Sequence, residues 1–125
     1  MTQQRMTVTH CINAATATTV SPAVGIEGAK KVSFFFKRSV HSAGKTVFTV
    51  DISPDGTEWV AYAKLISNAA NTNTQTLTRV ASYDTGTANA TAYYSMDDMD
   101  AARYVRVTAT ETTDGTHDAW VVASY

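Results

Sequence analysis

The chain is short of most residue types that announce chemistry. Its single cysteine, Cys11, allows no internal disulfide, which argues against a small disulfide-stapled secreted scaffold. The three histidines, His10, His41 and His117, lack the paired spacing of zinc ligands, so no metal site is expected. Charge is scarce as well: 17% of residues are charged and the net charge is −1. Nucleic-acid binding rests on a basic stripe that displaces counterions from phosphates. The only basic pairs are Lys30-Lys31 and Lys37-Arg38. They flank an apolar segment and read as guards against its aggregation. No run approaches the ~20 apolar residues of a membrane-spanning helix. The opening residues, Met1 to Met6, lack the apolar stretch of a signal peptide. The expectation is a protein made and folded in a cytoplasm, with neither nucleic acid nor membrane as a partner. Nucleophile elbows, phosphate-cradling glycine loops and dinucleotide fingerprints are missing too, so neither cofactor nor catalysis is expected.

What the chain does have is threonine, at about one position in six of 125. Thr is β-branched and polar and suits the solvent face of a strand. The apolar pattern repeats every two residues, and turn signals interrupt it at short intervals. In residues 31–40, Val32, Phe34 and Phe36 fall on one face. In 46–52, Phe48, Val50 and Ile52 do the same. Ser53-Pro54-Asp55-Gly56 predicts a tight turn, returning through 57–65 with Trp59 and Tyr62. A polar loop is expected at 68–74. A strand is expected at 75–83, with a bulge near Thr78-Arg79 because Leu77 and Val80 differ in parity. Further strands are expected at 91–96, 103–110 and 119–125, with a single helical turn at 97–102. Asp114-Gly115 predicts a hairpin turn, and His41 and His117 are expected as solvated turn residues. Seven to nine short strands in one domain make an antiparallel two-sheet β-sandwich, either jelly-roll or immunoglobulin-like. Residues 1–12 form an N-terminal arm or edge strand, and 13–125 form the domain.

Three groups of residues could form sites. Asp97, Asp98 and Asp100 could offer oxygens to Ca²⁺, but their spacing is not that of an EF-hand. The flanking Met96 and Met99 look like packing residues, and a capped turn explains the aspartates better. Asp51, Asp55 and Glu58 could pose as a glycosidase carboxylate pair, yet Asp55 belongs to a turn. Cys11, beside Ile12, reads as a buried inert thiol.

Two strands are apolar on both faces. Phe35 must point away from Phe34 and Phe36. In 120–125, Trp120 and Val122 take one face, and Val121, Ala123 and Tyr125 take the other. A half-exposed sheet should alternate with polar residues, so something covers the second face. It is either a loop of the same chain or another subunit. In the second case the protein self-assembles, with Phe35, Val121, Ala123 and Tyr125 near the contact.

The run Phe48-Thr49-Val50-Asp51-Ile52-Ser53-Pro54-Asp55-Gly56-Thr57-Glu58-Trp59 resembles a Ser-x-Asp-Gly-x-x-Trp hairpin common in bacteriophage virion proteins. Ala102-Arg103-Tyr104-Val105-Arg106-Val107 is similar to the strand that often follows it there. Both motifs also occur in discoidin-like, galactose-binding sandwiches. The resemblance implies a small head-decoration, cement or tail-associated protein, located in the virion and often trimeric on a capsid lattice. Its partner would be a major capsid or tail protein. The alternative is a carbohydrate-binding or receptor-binding module, with Trp59, Tyr62, Tyr93 or Tyr94 as an aromatic platform.

Overall fold

The computed structural model describes residues 5–40, 43–67 and 78–125. His41, Leu77 and the loop expected at 68–74 lie outside them. Twelve strands are found among the described residues. They are β1 (Met6–Ala15), β2 (Thr19–Val20), β3 (Val24–Gly25), β4 (Lys31–Ser39), β5 (Thr46–Ser53) and β6 (Val60–Tyr62). They continue with β7 (Leu65–Ser67), β8 (Arg79–Val80), β9 (Tyr83–Asp84), β10 (Ala90–Ser95), β11 (Tyr104–Glu111) and β12 (Thr116–Ser124). The front sheet runs β1-β12-β4-β10-β7-β8, and the back sheet runs β2-β11-β5-β6, with β3 also on β11 and β9 also on β5. All pairings are antiparallel. The molecule is the expected β-sandwich.

The period-two pattern fixes which face of each long strand is buried. Val32, Phe34 and Phe36 of β4 point inward, as do Phe48 and Val50 of β5 and Val105, Val107 and Ala109 of β11. Phe36 of the front sheet stacks on Phe48 of the back sheet at 4.8 Å between ring centroids. Tyr83 and Tyr94 extend this aromatic cluster. Each buried phenylalanine contributes roughly 1.5–3 kcal/mol of hydrophobic stabilisation.

The Ser53–Gly56 turn forms as its residues predict. Ser53 Oγ accepts the N–H groups of Asp55 and Gly56, and Asp55 Oδ1 accepts those of Thr57 and Glu58. Gly56 takes φ 82°, where a side chain would be strained. β5 then pairs with β6 in the same sheet.

Several expectations need correction. Asp114-Gly115 does reverse the chain, but β11 and β12 lie in different sheets, so the turn is a crossover and not a hairpin. The strand expected at 75–83 is divided. β8 pairs with β7 in the front sheet, and β9 pairs with β5 in the back sheet. The chain therefore changes sheet between Val80 and Tyr83, and the bulge expected near Thr78-Arg79 rests on Leu77, which lies outside the described residues. No helix forms at 97–102, where the Asp100 N–H closes a turn on the Asp97 carbonyl. Met96 is buried, but Met99 is 90% exposed and packs nothing.

His117 is fully buried within β12, with Nε2 on the Ala17 carbonyl at 2.7 Å. Arg38 is not a surface guard either. It continues the inward set of β4 and is 1% exposed. Its guanidinium donates to the carbonyls of Ala43, Gly44, Gly86 and Asp114. One cation thus ties together three connections at one end of the sandwich. Lys37, its neighbour, is exposed as a guard should be.

Candidate contact surface

The two outer faces differ in chemistry. On the back sheet, alternation turns Thr49, Asp51, Arg106 and Thr108 outward. Arg106 bonds Asp51 at 3.0 Å, and its guanidinium lies 4.4 Å from the centre of the Trp59 ring. This polar pair marks the middle of the face, and Val20, opposite Thr108 and 53% exposed, and Val47 also lie on it.

The outer face of the front sheet is aromatic. The register sets His10 beside Trp120, Trp120 beside Phe35, and Phe35 beside Tyr93. These four rings form one row across β1, β12, β4 and β10. His10 stacks on Trp120 with centroids 4.4 Å apart and planes 4° from parallel. Phe35 stacks on Tyr93 at 4.7 Å and 12°. The next row holds Val8 and Val122, followed by Ser33 and Ser95. Met6 and Val8 are 60% and 64% exposed, and Phe35 is 37% exposed.

Polar groups frame this strip. Asp118 Oδ1 accepts the Ala14 N–H at 2.8 Å and lies 2.9 Å from His10 Nε2. Lys37 sits between Asp118 and Thr91 in the register. On the other side, Ser33 Oγ lies 3.1 Å from the Tyr93 hydroxyl and 3.4 Å from Ser95 Oγ. The Ser33 bond holds the Tyr93 phenol below its ordinary value. An apolar centre with a polar margin is the anatomy of a protein contact.

Of the expected contact residues, Phe35 is on this face. Val121 and Ala123 are not: each is 1% exposed and faces the core. Pairing explains the correction. Val121 lies opposite Phe34 and Ala123 opposite Val32, both of which point inward. The alternation in the last strand was legible, but its inner face could not be chosen without that register. Trp120 and Val122 therefore take the outer positions. Tyr125 is partly buried at the edge of the core, with the Arg5 guanidinium 4.3 Å from its ring centre.

The expected aromatic platform is dispersed. Tyr93 is on the front face, and Trp59 is on the back. Tyr94 belongs to the core cluster. Tyr62 is 4% exposed; its hydroxyl donates to Asp100 Oδ2 and accepts the Asp97 N–H, each at 2.8 Å. Burial, followed by the Asp100 carboxylate, pushes its phenol far up.

Asp97 and Asp100 are structural. Asp97 pairs with Arg79 at 2.9 Å, and Asp100 pairs with Lys64 at 3.3 Å. Among the described residues, no three His, Cys, Asp or Glu side chains converge as metal ligands would. Burial pushes the Cys11 thiol up, and Sγ bonds the Ala119 carbonyl at 3.4 Å. That group stays a thiol at neutral pH and is a poor nucleophile.

These features define a two-sheet antiparallel β-sandwich with one apolar outer face. No family model matches the chain, and no curated protein matches it. Among solved structures, the SPBc2 prophage-derived protein YomS has a similar fold. The likeness covers 100% of this chain and 97% of that one, with a TM-score of 0.69 at 13% sequence identity.

Proposed function

We propose that the protein is a structural component of a bacteriophage particle, a capsid decoration (cement) or tail accessory protein that acts by protein–protein contact without catalysis. The observation that carries this reading is the aromatic row His10–Trp120–Phe35–Tyr93 across the outer face of the front sheet, whereas among the described residues the opposite outer face has no such row of rings. The prophage origin of a protein with the same fold supports it, as do the two virion-like motifs. The partner surface belongs to a major capsid or tail protein.

The geometry sets the scale of that contact. Four strands about 4.8 Å apart and five residues at about 3.4 Å each make a strip of roughly 300 Å². A standard interface buries about 800 Å² per partner. The strip is therefore the apolar centre of a larger contact, with Lys31, Lys37 and Asp118 at its margin. The carbohydrate-module alternative is less favoured because its platform residues do not share a surface. In the row itself, each ring already spends one face on its neighbour.

Quantitative mass spectrometry of purified particles from the encoding phage tests this reading. The protein should be present at a fixed ratio to the major capsid or tail subunit. Abundance in the lysate with absence from the particles would overturn it.

A further inference from the structure

The edge of the front sheet carries a feature that particle binding does not need. Among the described residues, β1 has β12 on one side and no strand on the other. From Met6 to His10 its register against Ser124 to Trp120 is unbroken. The Tyr125 N–H donates to the Arg5 carbonyl at 2.8 Å, so Arg5 directs its backbone at the chain end of β12. Antiparallel pairing alternates, so Thr7 and Thr9 do the same. The N–H and C=O groups of Met6, Val8 and His10 are left pointing outward.

An open edge of this kind is a template for another strand, and proteins ordinarily blunt it. Lysine, proline or a bulge would do so. Met6-Thr7-Val8-Thr9-His10 has no lysine and no proline, and the first irregularity comes after His10. That bulge ends the regular edge at His10. The open segment is thus five residues long, with Val8 at its centre.

We propose that two copies of the chain pair edge to edge through Met6–His10, antiparallel about a two-fold axis at Val8. The segment is self-complementary. Val8 of one copy lies opposite Val8 of the other, and Met6 opposite His10. Each of these three residue pairs exchanges two backbone hydrogen bonds. No like charges meet, because the segment carries none when His10 is neutral. A two-fold contact uses the same patch on both copies, which a centred palindromic register supplies.

Continuity of the surface also favours a second copy over an unrelated strand. Val8 and His10 begin the rows that run on to Val122 and Trp120. Pairing at the axis joins the two front faces into one sheet surface and doubles the apolar strip. Met6 and Val8, the most exposed members of that strip, gain neighbours across the axis. The pairing needs only the edge, so it stands or falls separately from the particle reading.

Native mass spectrometry and sedimentation of the full chain from 1 to 100 µM, on the order of typical working concentrations, test the proposal. The expected species is twice the 13.4 kDa chain. Val8→Lys sets two cations against each other at the axis and should return the monomer with wild-type circular dichroism. Val8→Pro removes an outward N–H while sparing the β12 ladder, and should do the same. Hydrogen exchange on the wild type gives a readout without substitution: the amides of Met6, Val8 and His10 should gain protection as concentration rises. A monomer throughout this range overturns the proposal. So does an oligomer that survives Val8→Lys, or one whose Met6, Val8 and His10 amides stay unprotected.

Discussion

Arg38 and Gly115 fit each other so closely that a methyl group cannot be placed between them. A Cβ built on Gly115 lies 2.8 Å from Arg38 Nε, and Gly115 takes φ 133°. The glycine lets the β11–β12 crossover settle over the buried guanidinium, which in turn holds the carbonyls of three connections. Gly115→Ala should therefore destabilise the fold by about 1–3 kcal/mol. Arg38→Met should cost about 3 kcal/mol or more, because it strands several buried acceptors together. Arg38→Lys should recover little of that, since a point charge cannot reproduce the planar fork. Urea unfolding of the three variants checks the order.

Adjacent residues of β12 should respond oppositely to the same substitution. Val121→Asp places a carboxylate in the core and should abolish folding. Trp120→Asp removes the stack on His10 but leaves the core intact, so the variant should fold. Circular dichroism of the pair tests the face assignment, and the reverse result would invert it.

Tyr62→Phe should destabilise the protein by about 1–2 kcal/mol. It leaves the Asp97 N–H and the Asp100 carboxylate without the hydroxyl that joins them. Thermal melts with calorimetry check the loss, and the far-ultraviolet spectrum should be unchanged.

Acid should weaken the fold through its turns. The N–H groups of Glu58 and Thr57 hold the Asp55 carboxyl below 3.8. The Met99 N–H, followed by Arg79, does the same for Asp97. The Gly86 N–H, followed by Lys45, does so for Asp84. Each folded-state value is lowered, so the unfolded chain binds more protons as the pH drops. The contribution is complete above the ordinary carboxylate range and is lost as pH falls through the lower folded values. The melting temperature should hold above about pH 5 and decline toward pH 2. Replacing all three aspartates by asparagine should flatten that decline in a pH series of melts.

The fold was legible because period two is a local signal. The inward sets of β4, β5 and β11 followed from the placing of Val, Phe and Ile alone. Turn chemistry was legible only in part. Ser53-Pro54-Asp55-Gly56 and Asp114-Gly115 both reverse the chain, yet one closes a hairpin and the other crosses between sheets. Nothing within four residues distinguishes them. Arg38 was misread because a charge at an inward parity position looks like an end of the pattern until the carbonyls that converge on it are placed. Of the aromatic outer face, Phe35 was legible as an outward residue, while Trp120, Val8 and His10 were not singled out. Those residues meet only through the β1–β12–β4 register, which joins positions more than eighty apart in the chain. The Thr-rich edge strand gave a weak alternation and no sign that its outer edge was open.

The central claim is that the front face seats the protein on a particle, and occupancy of the Phe35→Asp variant tests it most directly. Phe35 is surface-exposed, and losing its stack on Tyr93 should cost only about 0.5–1.5 kcal/mol of stability. The variant should therefore keep the wild-type circular dichroism spectrum. Particles lacking the protein would be incubated with wild type or variant, and bound copies would be counted by mass spectrometry. The account predicts a folded variant whose occupancy falls at least tenfold, the loss expected for about 1.4 kcal/mol of contact energy. A folded variant that loads the particle as wild type does would contradict it.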